Sequence, residues 1–444
     1  MWATQLGKYT VDVKPSDLPS DVIHAAKRCV LDWFSAAIPG GVENPARFIA
    51  AALNEETGVG SARLVPTGLS ATPRSAALIN GTAAHTLEVD DIYRDAIYHP
   101  GPPVIAAALA VAHSRNLSGG ELIASVVAGY EVSNRIGRAI QPKHYDYWHT
   151  TGTVGAFGAA AASSRALGLT ANQAKHAIAN SATFAAALQQ AFRSDAMSKA
   201  LHAGRAAETG LLCALMAEKG VTGADNMLEG ERGFGNAMSE NVDWDTTFAD
   251  LGHTYTITQM TQKNHCCCGH TFAAIDSVLE ICKTNDLQAD DIERISVGTY
   301  GKALEVCANR DPKTPYEAKF SLAYVCAMAA ISGSVRLAAF TPDWLKNADL
   351  RVLMNRIETR VDPRTEQVFP GHRSAYVEIK TANGRSFKHH APTRKGDPDA
   401  PLSDAELEEK FRELAEPVLD DAHMTALIEQ VWRLEDLREV NTLI

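Results

Sequence analysis

The chain of 444 residues is marked first by what it lacks. No stretch approaches the ~18 consecutive uncharged apolar residues that a membrane-crossing helix needs, and the opening MWATQLGKYTVDVK has neither the basic head nor the apolar body of a secretory leader. Positive charge is not in excess: 42 Lys and Arg stand against 53 Asp and Glu, a net charge of -11. That balance disfavours nucleic acid or an anionic membrane surface as the main partner, since both reward a dense basic patch. There is no GxxxxGK[ST] loop and no strand-linked GxGxxG, so a nucleotide-dependent enzyme is not expected. Internal repeats and low-complexity linkers are missing too. The expectation is a folded cytoplasmic protein whose chemistry comes from its own side chains.

Eight cysteines are present, at 29, 213, 266, 267, 268, 282, 307 and 326. In a reducing compartment they are expected as thiols. Three of them sit together in KNHCCCGH, Lys263 to His270. Adjacent side chains diverge, whereas a tetrahedral zinc site wants spaced ligands that converge. Cys266 and His270 have an i, i+4 spacing, but no second ligand pair stands out. The run reads as small buried thiols in a tight turn, with no metal.

What is abundant is alanine in helical patterns. In SDVIHAAKRCVLDWFSAAIPGG the apolar residues Val22, Ile23, Ala26, Cys29, Val30, Trp33, Phe34 and Ala37 recur on one helical face. Ser20 is placed to cap its start and Pro39-Gly40-Gly41 to stop it. Similar stretches fall at about 72–87, 102–114, 119–138, 153–167, 172–190 and 198–219. The glycines of HTTGTVGAFG come at helical spacing, which suits close helix contact rather than a phosphate. After about residue 260 the texture changes. ERISVGTY alternates Ile295, Val297 and Thr299, and Asn383-Gly384 between two alternating segments predicts a hairpin with a type I′ turn. Ser403 and Glu406 form a capping box that opens a last helical region. The fold expected is mainly α: an all-helical domain from residues 1–260 plus 400–444, with a smaller α+β lid domain, 261–399, inserted.

Polar, ionisable residues gather in four islands. One is HTLEVDDIYRDAIYHPG, with His85, Glu88, Asp90, Asp91 and His99 ahead of an apolar helix; carboxylates there can hold a histidine in one tautomer. Another is KHYDYWHTTGT, where Tyr145, Tyr147, Trp148 and His149 crowd a helix start able to face an anion. The third, FRSDAMSKALHAGRAAETG, sets Lys199 among small residues that permit a ligand's approach. The fourth is the thiol run, with Lys263 ahead of it. Taken singly, each also reads as an exposed loop, aromatic packing or a solvated face.

Six stretches together resemble the MmgE/PrpD family of 2-methylcitrate dehydratases, cis-aconitate decarboxylases and iminodisuccinate epimerases. They are HTLEVDD followed by HPG, HTTGTVGAFGAAAA, SKALHAGRAAETG, KNHCCCGHTFAAID, PYEAKFSLAYVCAMA and KGDPDAPLSDAELEEKF, in the family's order over nearly the whole chain. The resemblance implies a helical domain made from both chain ends, an inserted lid with the site between them, a homodimer, no cofactor and no metal. It carries the family's histidine of the HPG stretch onto His99, its acidic cluster onto Glu88, Asp90 and Asp91, its helix-start histidine onto His149 and its central lysine onto Lys199. The second lysine falls on Lys263 and the tyrosine of FSLAY on Tyr324. Two positions depart: Glu88 stands where Asp is common, and Cys268 where the decarboxylases have histidine.

Such enzymes make or break a bond at carbon next to a carboxylate, so cations and hydrogen-bond donors must first neutralise that carboxylate. His99, Lys199 and Lys263 are the expected catalytic groups, with Tyr145 as partner acid or base. Glu88, Asp90, Asp91, His149, Cys268 and Tyr324 are expected to contact a small polycarboxylate substrate. The tyrosine-rich YDYW favours epimerisation of an amino-dicarboxylate such as iminodisuccinate. The alternatives are a 2-methylcitrate-type dehydratase and, more remotely, a non-catalytic binder.

Overall fold

The computed structural model describes residues 1–193 and 196–443. It divides into two compact units, Met1–Gln262 with Ser403–Ile444, and Lys263–Leu402. The chain is mainly α-helical.

In the first unit the helix Gly101–Arg115 is buried continuously from Gly101 to His113, as its all-round apolar sequence requires. Thr150–Ala166 is buried everywhere except Arg165 and packs against Gly119–Ala139, Gly101–Arg115 and Ser198–Glu218. Its small residues make this possible. A Cβ at Gly155 would lie 2.7 Å from the Pro103 ring, and one at Gly158 would lie 2.7 Å from Ser133 Oγ. These glycines serve helix packing, as their spacing suggested. Helix starts are capped where the sequence supplies a hydroxyl: Thr72 Oγ1 accepts from Ser75 N, and Thr170 forms a capping box with Gln173.

Three local expectations change. Ser20 is the first residue of the helix Ser20–Gly41 rather than its cap, and that helix runs through Pro39 to Gly41. Its last turn is buried against the helix Pro73–Thr86, where a Cβ on Gly40 would meet the Ala83 carbonyl oxygen at 2.0 Å; this packing outweighs the local breaker signal. The helix expected over 172–190 ends at Phe184. The first unit is also not wholly helical, because Thr57–Arg63 pairs antiparallel with Ser70–Ala71. That stretch is punctuated by Gly58 and Gly60 at positive φ, which hides any period of two.

The chain ends meet in this unit. The helix Asp404–Ala415, opened by the expected Ser403–Glu406 capping box, packs on Ser20–Gly41. Its buried Lys410 Nζ donates to Asp32 Oδ1 at 2.6 Å and to the Val89 carbonyl at 2.7 Å, which pins the loop following Thr86.

The second unit holds a four-stranded sheet in the order Ile357–Val361, Ile292–Thr299, Ala375–Thr381, Ser386–Ala391, parallel in the first pair and antiparallel in the others. The strand Ile292–Thr299 is internal, so Ser296 and Gly298 are buried along with Ile295 and Val297, and the alternation read from ERISVGTY is incomplete. The hairpin at Asn383-Gly384 forms, but only Gly384 has positive φ (83°), and its N–H donates to the Thr381 carbonyl at 2.9 Å. A type I′ turn needs positive φ at both central residues, so this is a longer loop closed by a left-handed glycine. No described helix is long and apolar enough to cross a membrane.

Candidate functional site

The first unit gathers buried polar groups at the starts of three helices. The loop between Pro73–Thr86 and Gly101–Arg115 supplies the carboxylates. Glu88 adopts a left-handed conformation (φ 63°), an uncommon state for a residue with a side chain, and pairs with Lys199 at the start of Ser198–Glu218. Asp90, 1% exposed, takes His85 Nδ1 at 2.8 Å on Oδ2, and His99 Nδ1 lies 2.9 Å from the same oxygen. One carboxylate thus holds the His85 ring by a hydrogen bond and stands directly against the His99 ring. Asp91 instead braces the backbone, since its Oδ1 accepts from Gly101 N at 2.9 Å and its Oδ2 from the Tyr130 hydroxyl at 2.7 Å. Burial, helped by the Asp32 and Asp90 charges, raises its carboxyl to about 8.

His149 caps the entrance of Thr150–Ala166 by position and is buried. Its Nδ1 lies 3.0 Å from His202 Nδ1, so one ring must donate and the other accept. Its ring stacks on His85 at 5.4 Å, and His85 meets His99 edge-on at 4.9 Å. Burial and then the neighbouring His85, Lys199, His202 and His99 hold the His149 imidazolium well below its ordinary range. His202 is lowered to about 4 by burial, His85 and Lys199. At neutral pH these two rings are therefore uncharged, able to accept or donate one proton each, beside a lysine. His99, His149 and Lys199 all stand at helix N-termini, whose partial positive charge favours an anion.

The structure thus brings together Glu88, Asp90, His99, His149 and Lys199, with Asp91 behind them. Tyr145 lies half-buried on the short turn Lys143–Asp146, its carbonyl accepting from Gln189 Nε2 at 2.9 Å. Ser194 and Asp195 of the third island lie outside the described residues. Sequence reasoning passed over His202 altogether and noted His85 without assigning it a role. The signal for His202 was its place three residues after Lys199, on the same helical face.

Lys263, Cys268 and Tyr324 belong to the second unit. Lys263 is 2% exposed and close enough to Cys267 for its charge to act on that thiol. The CCC run is a tight turn, as expected, with no helix before Phe272: Thr271 N and Oγ1 both donate to the Cys268 carbonyl, at 3.0 and 2.8 Å. Tyr324 is buried on the first turn of Leu322–Ser332, its hydroxyl donating to the Ala339 carbonyl at 2.6 Å, and burial raises it to about 12.

His85, Asp90 and His99 offer ligand atoms within 4.8 Å of one another. His85 Nδ1 and His99 Nδ1 approach a single Asp90 oxygen at 2.8 and 2.9 Å, so the same three groups that face one another here are also those that could converge on an ion.

The chain is mainly helical, and its buried histidines, carboxylates and Lys199 converge on helix starts. Residues 4–247 match the MmgE/PrpD N-terminal domain and residues 265–434 the MmgE/PrpD C-terminal domain, so the chain belongs to the MmgE/PrpD family. It is 25% identical to the cis-aconitate decarboxylase-like protein oryM of Aspergillus oryzae, over 99% of this chain and 96% of that one. It is 27% identical to the cis-aconitate decarboxylase of Homo sapiens, over 97% and 91%, and 25% identical to that of Aspergillus terreus, over 100% and 94%.

Proposed function

We propose that the protein is a cofactor-independent lyase acting on a small tricarboxylate, breaking a bond next to a carbon that bears a carboxylate. The observation that carries this reading is the placement of Lys199, His99 and His149 at three helix N-termini with Asp90 behind the imidazoles. Lysine and helix N-termini hold substrate carboxylates and stabilise the charge that develops when an α-proton leaves. The uncharged imidazole of His149, or His99 beside Asp90, takes that proton, and a second group protonates the departing one.

Relatives named for carbon–carbon bond cleavage favour a lyase over the amino-dicarboxylate epimerase that Tyr145 suggested. Cys268, at a position where the family resemblance sets histidine in decarboxylases, favours loss of water from a hydroxytricarboxylate over loss of carbon dioxide. In that reaction the α-proton goes to the base, the hydroxyl leaves as water with a proton from the acid, and an alkene forms. The enzyme works as a homodimer in a reducing cytoplasm, with Lys263 as a further substrate-binding cation. Incubating it with a panel of hydroxy- and unsaturated tricarboxylates, read by mass spectrometry, tests the proposal: loss of one water or one carbon dioxide supports it, and a panel left intact under saturating enzyme contradicts it.

A further inference from the structure

The second unit contains a thiol pair, Cys268 and Cys307, whose contact with one another the proposed chemistry does not require. Cys268 and Cys307 are far apart in sequence, yet their side chains are hydrogen-bonded to each other. One segment fixes both backbones: Cys268 N donates to the Lys319 carbonyl and Leu322 N to the Cys307 carbonyl, each at 3.0 Å, while Ala308 bridges Ser321. Cys307 is buried and Cys268 half-buried.

The two thiols differ in surroundings. Arg394 is close enough to Cys268 for their charges to act on one another, and it is itself held by Asp397 at 2.9 and 2.6 Å and by the Gly269 carbonyl at 3.2 Å. Cys268, half-buried beside this fixed guanidinium, is the member of the pair that solvent can reach. The Cys307 thiol is raised by the hydrogen bond to Cys268 and by burial, so it stays the proton donor of the pair. Its neighbours compete poorly. Burial raises Cys326 to about 12, and Cys267 is raised by burial while its sulfur contacts Thr271 Oγ1 at 3.3 Å.

We propose that Cys268 and Cys307 form an oxidisable pair in which Cys268 reacts with hydrogen peroxide and Cys307 resolves the product as a disulfide. The Cys268 thiolate attacks one peroxide oxygen, the O–O bond breaks, and hydroxide departs to leave a sulfenic acid at Cys268. The Cys307 sulfur then attacks the Cys268 sulfur. The S–O bond breaks, the S–S bond forms, and the departing hydroxide takes the Cys307 proton. Two thiols lose two electrons in total and one peroxide is reduced to two waters. The proposal is independent of the reaction assigned to the first unit.

The full chain, treated with one equivalent of hydrogen peroxide, alkylated and digested without reduction, provides the test. A peptide pair joining Cys268 to Cys307, abolished by dithiothreitol, is expected. Cys307→Ser should in its place accumulate a Cys268 sulfenic acid that dimedone traps severalfold more than in the unsubstituted chain. Because the cross-link is read in the unsubstituted chain, the test survives a variant that does not fold. A disulfide from Cys268 to any other cysteine, a persistent sulfenic acid without the cross-link, or no oxidation at Cys268 overturns the proposal.

Discussion

The buried histidine and lysine cluster of the first unit and the buried guanidinium and thiol cluster of the second solve the cost of burying charge differently. In the first, burial and neighbouring cations strip the proton from His149 and His202, leaving uncharged rings with proton-transfer capacity. In the second, Arg394 is locked by a bidentate carboxylate and a carbonyl, which leaves its charge fixed in place. The difference teaches that partners decide what a buried ionisable cluster can do: some leave its protons exchangeable, others hold its charge in place.

The largest expected effects separate the clusters by readout. His99→Ala should lower kcat by roughly 10²–10⁴, the usual range for a lost acid–base group, while leaving the urea midpoint nearly unchanged, because Asp90 keeps its hydrogen bond to His85. Arg394→Ala should do the reverse, removing about 3–5 kcal/mol of stability because Asp397 is left buried and charged. Equilibrium urea unfolding of both variants checks this. A stability loss with His99→Ala as large as with Arg394→Ala would erase the distinction.

A smaller effect follows from pH. His113, His144 and His202 are each lowered from 6.5 to about 4, chiefly by burial. The unfolded chain therefore binds more protons between these values, so the stability these groups provide is whole above about pH 6.5 and is lost as pH falls toward 4. Urea midpoints measured from pH 7 down to 4.5 should decline steadily. A flat series would show that these imidazoles are not held uncharged. Smaller still, replacing Cys266 and Cys267 together by alanine should leave kcat within about twofold, since only the flanks of that run carry charge. Exhaustive chelation should leave kcat unchanged; restoration of lost activity by added zinc would turn His85, Asp90 and His99 into ligands.

Much of this was legible in the sequence. Periodicity located the helices because the chain has long apolar faces, and the Ser403–Glu406 box fell where a hydroxyl and a carboxylate at fixed spacing place it. Pro39 misled because packing against Ala83 is a tertiary term that local propensity does not contain. The carboxylates and His99 were legible because they lie within one loop. His202 was not, because its partner His149 lies 53 residues away and only the fold sets their nitrogens 3.0 Å apart. The KGDPDAP stretch, one of the six motifs, proves to be a tie: Lys395 N donates to Asp276 Oδ2 at 2.9 Å, and Asp276 Oδ1 lies 2.9 Å from His265 Nε2 beside the thiols.

The central claim is that the helix-start cluster breaks a bond beside a carboxylate rather than merely exchanging a proton there. Carbon NMR of a labelled hydroxytricarboxylate incubated in deuterated water tests it most directly. The expected result is alkene carbon growing in as water is lost, absent with Lys199→Ala. Deuterium entering the α-carbon of a substrate whose bonds all stay intact would contradict it.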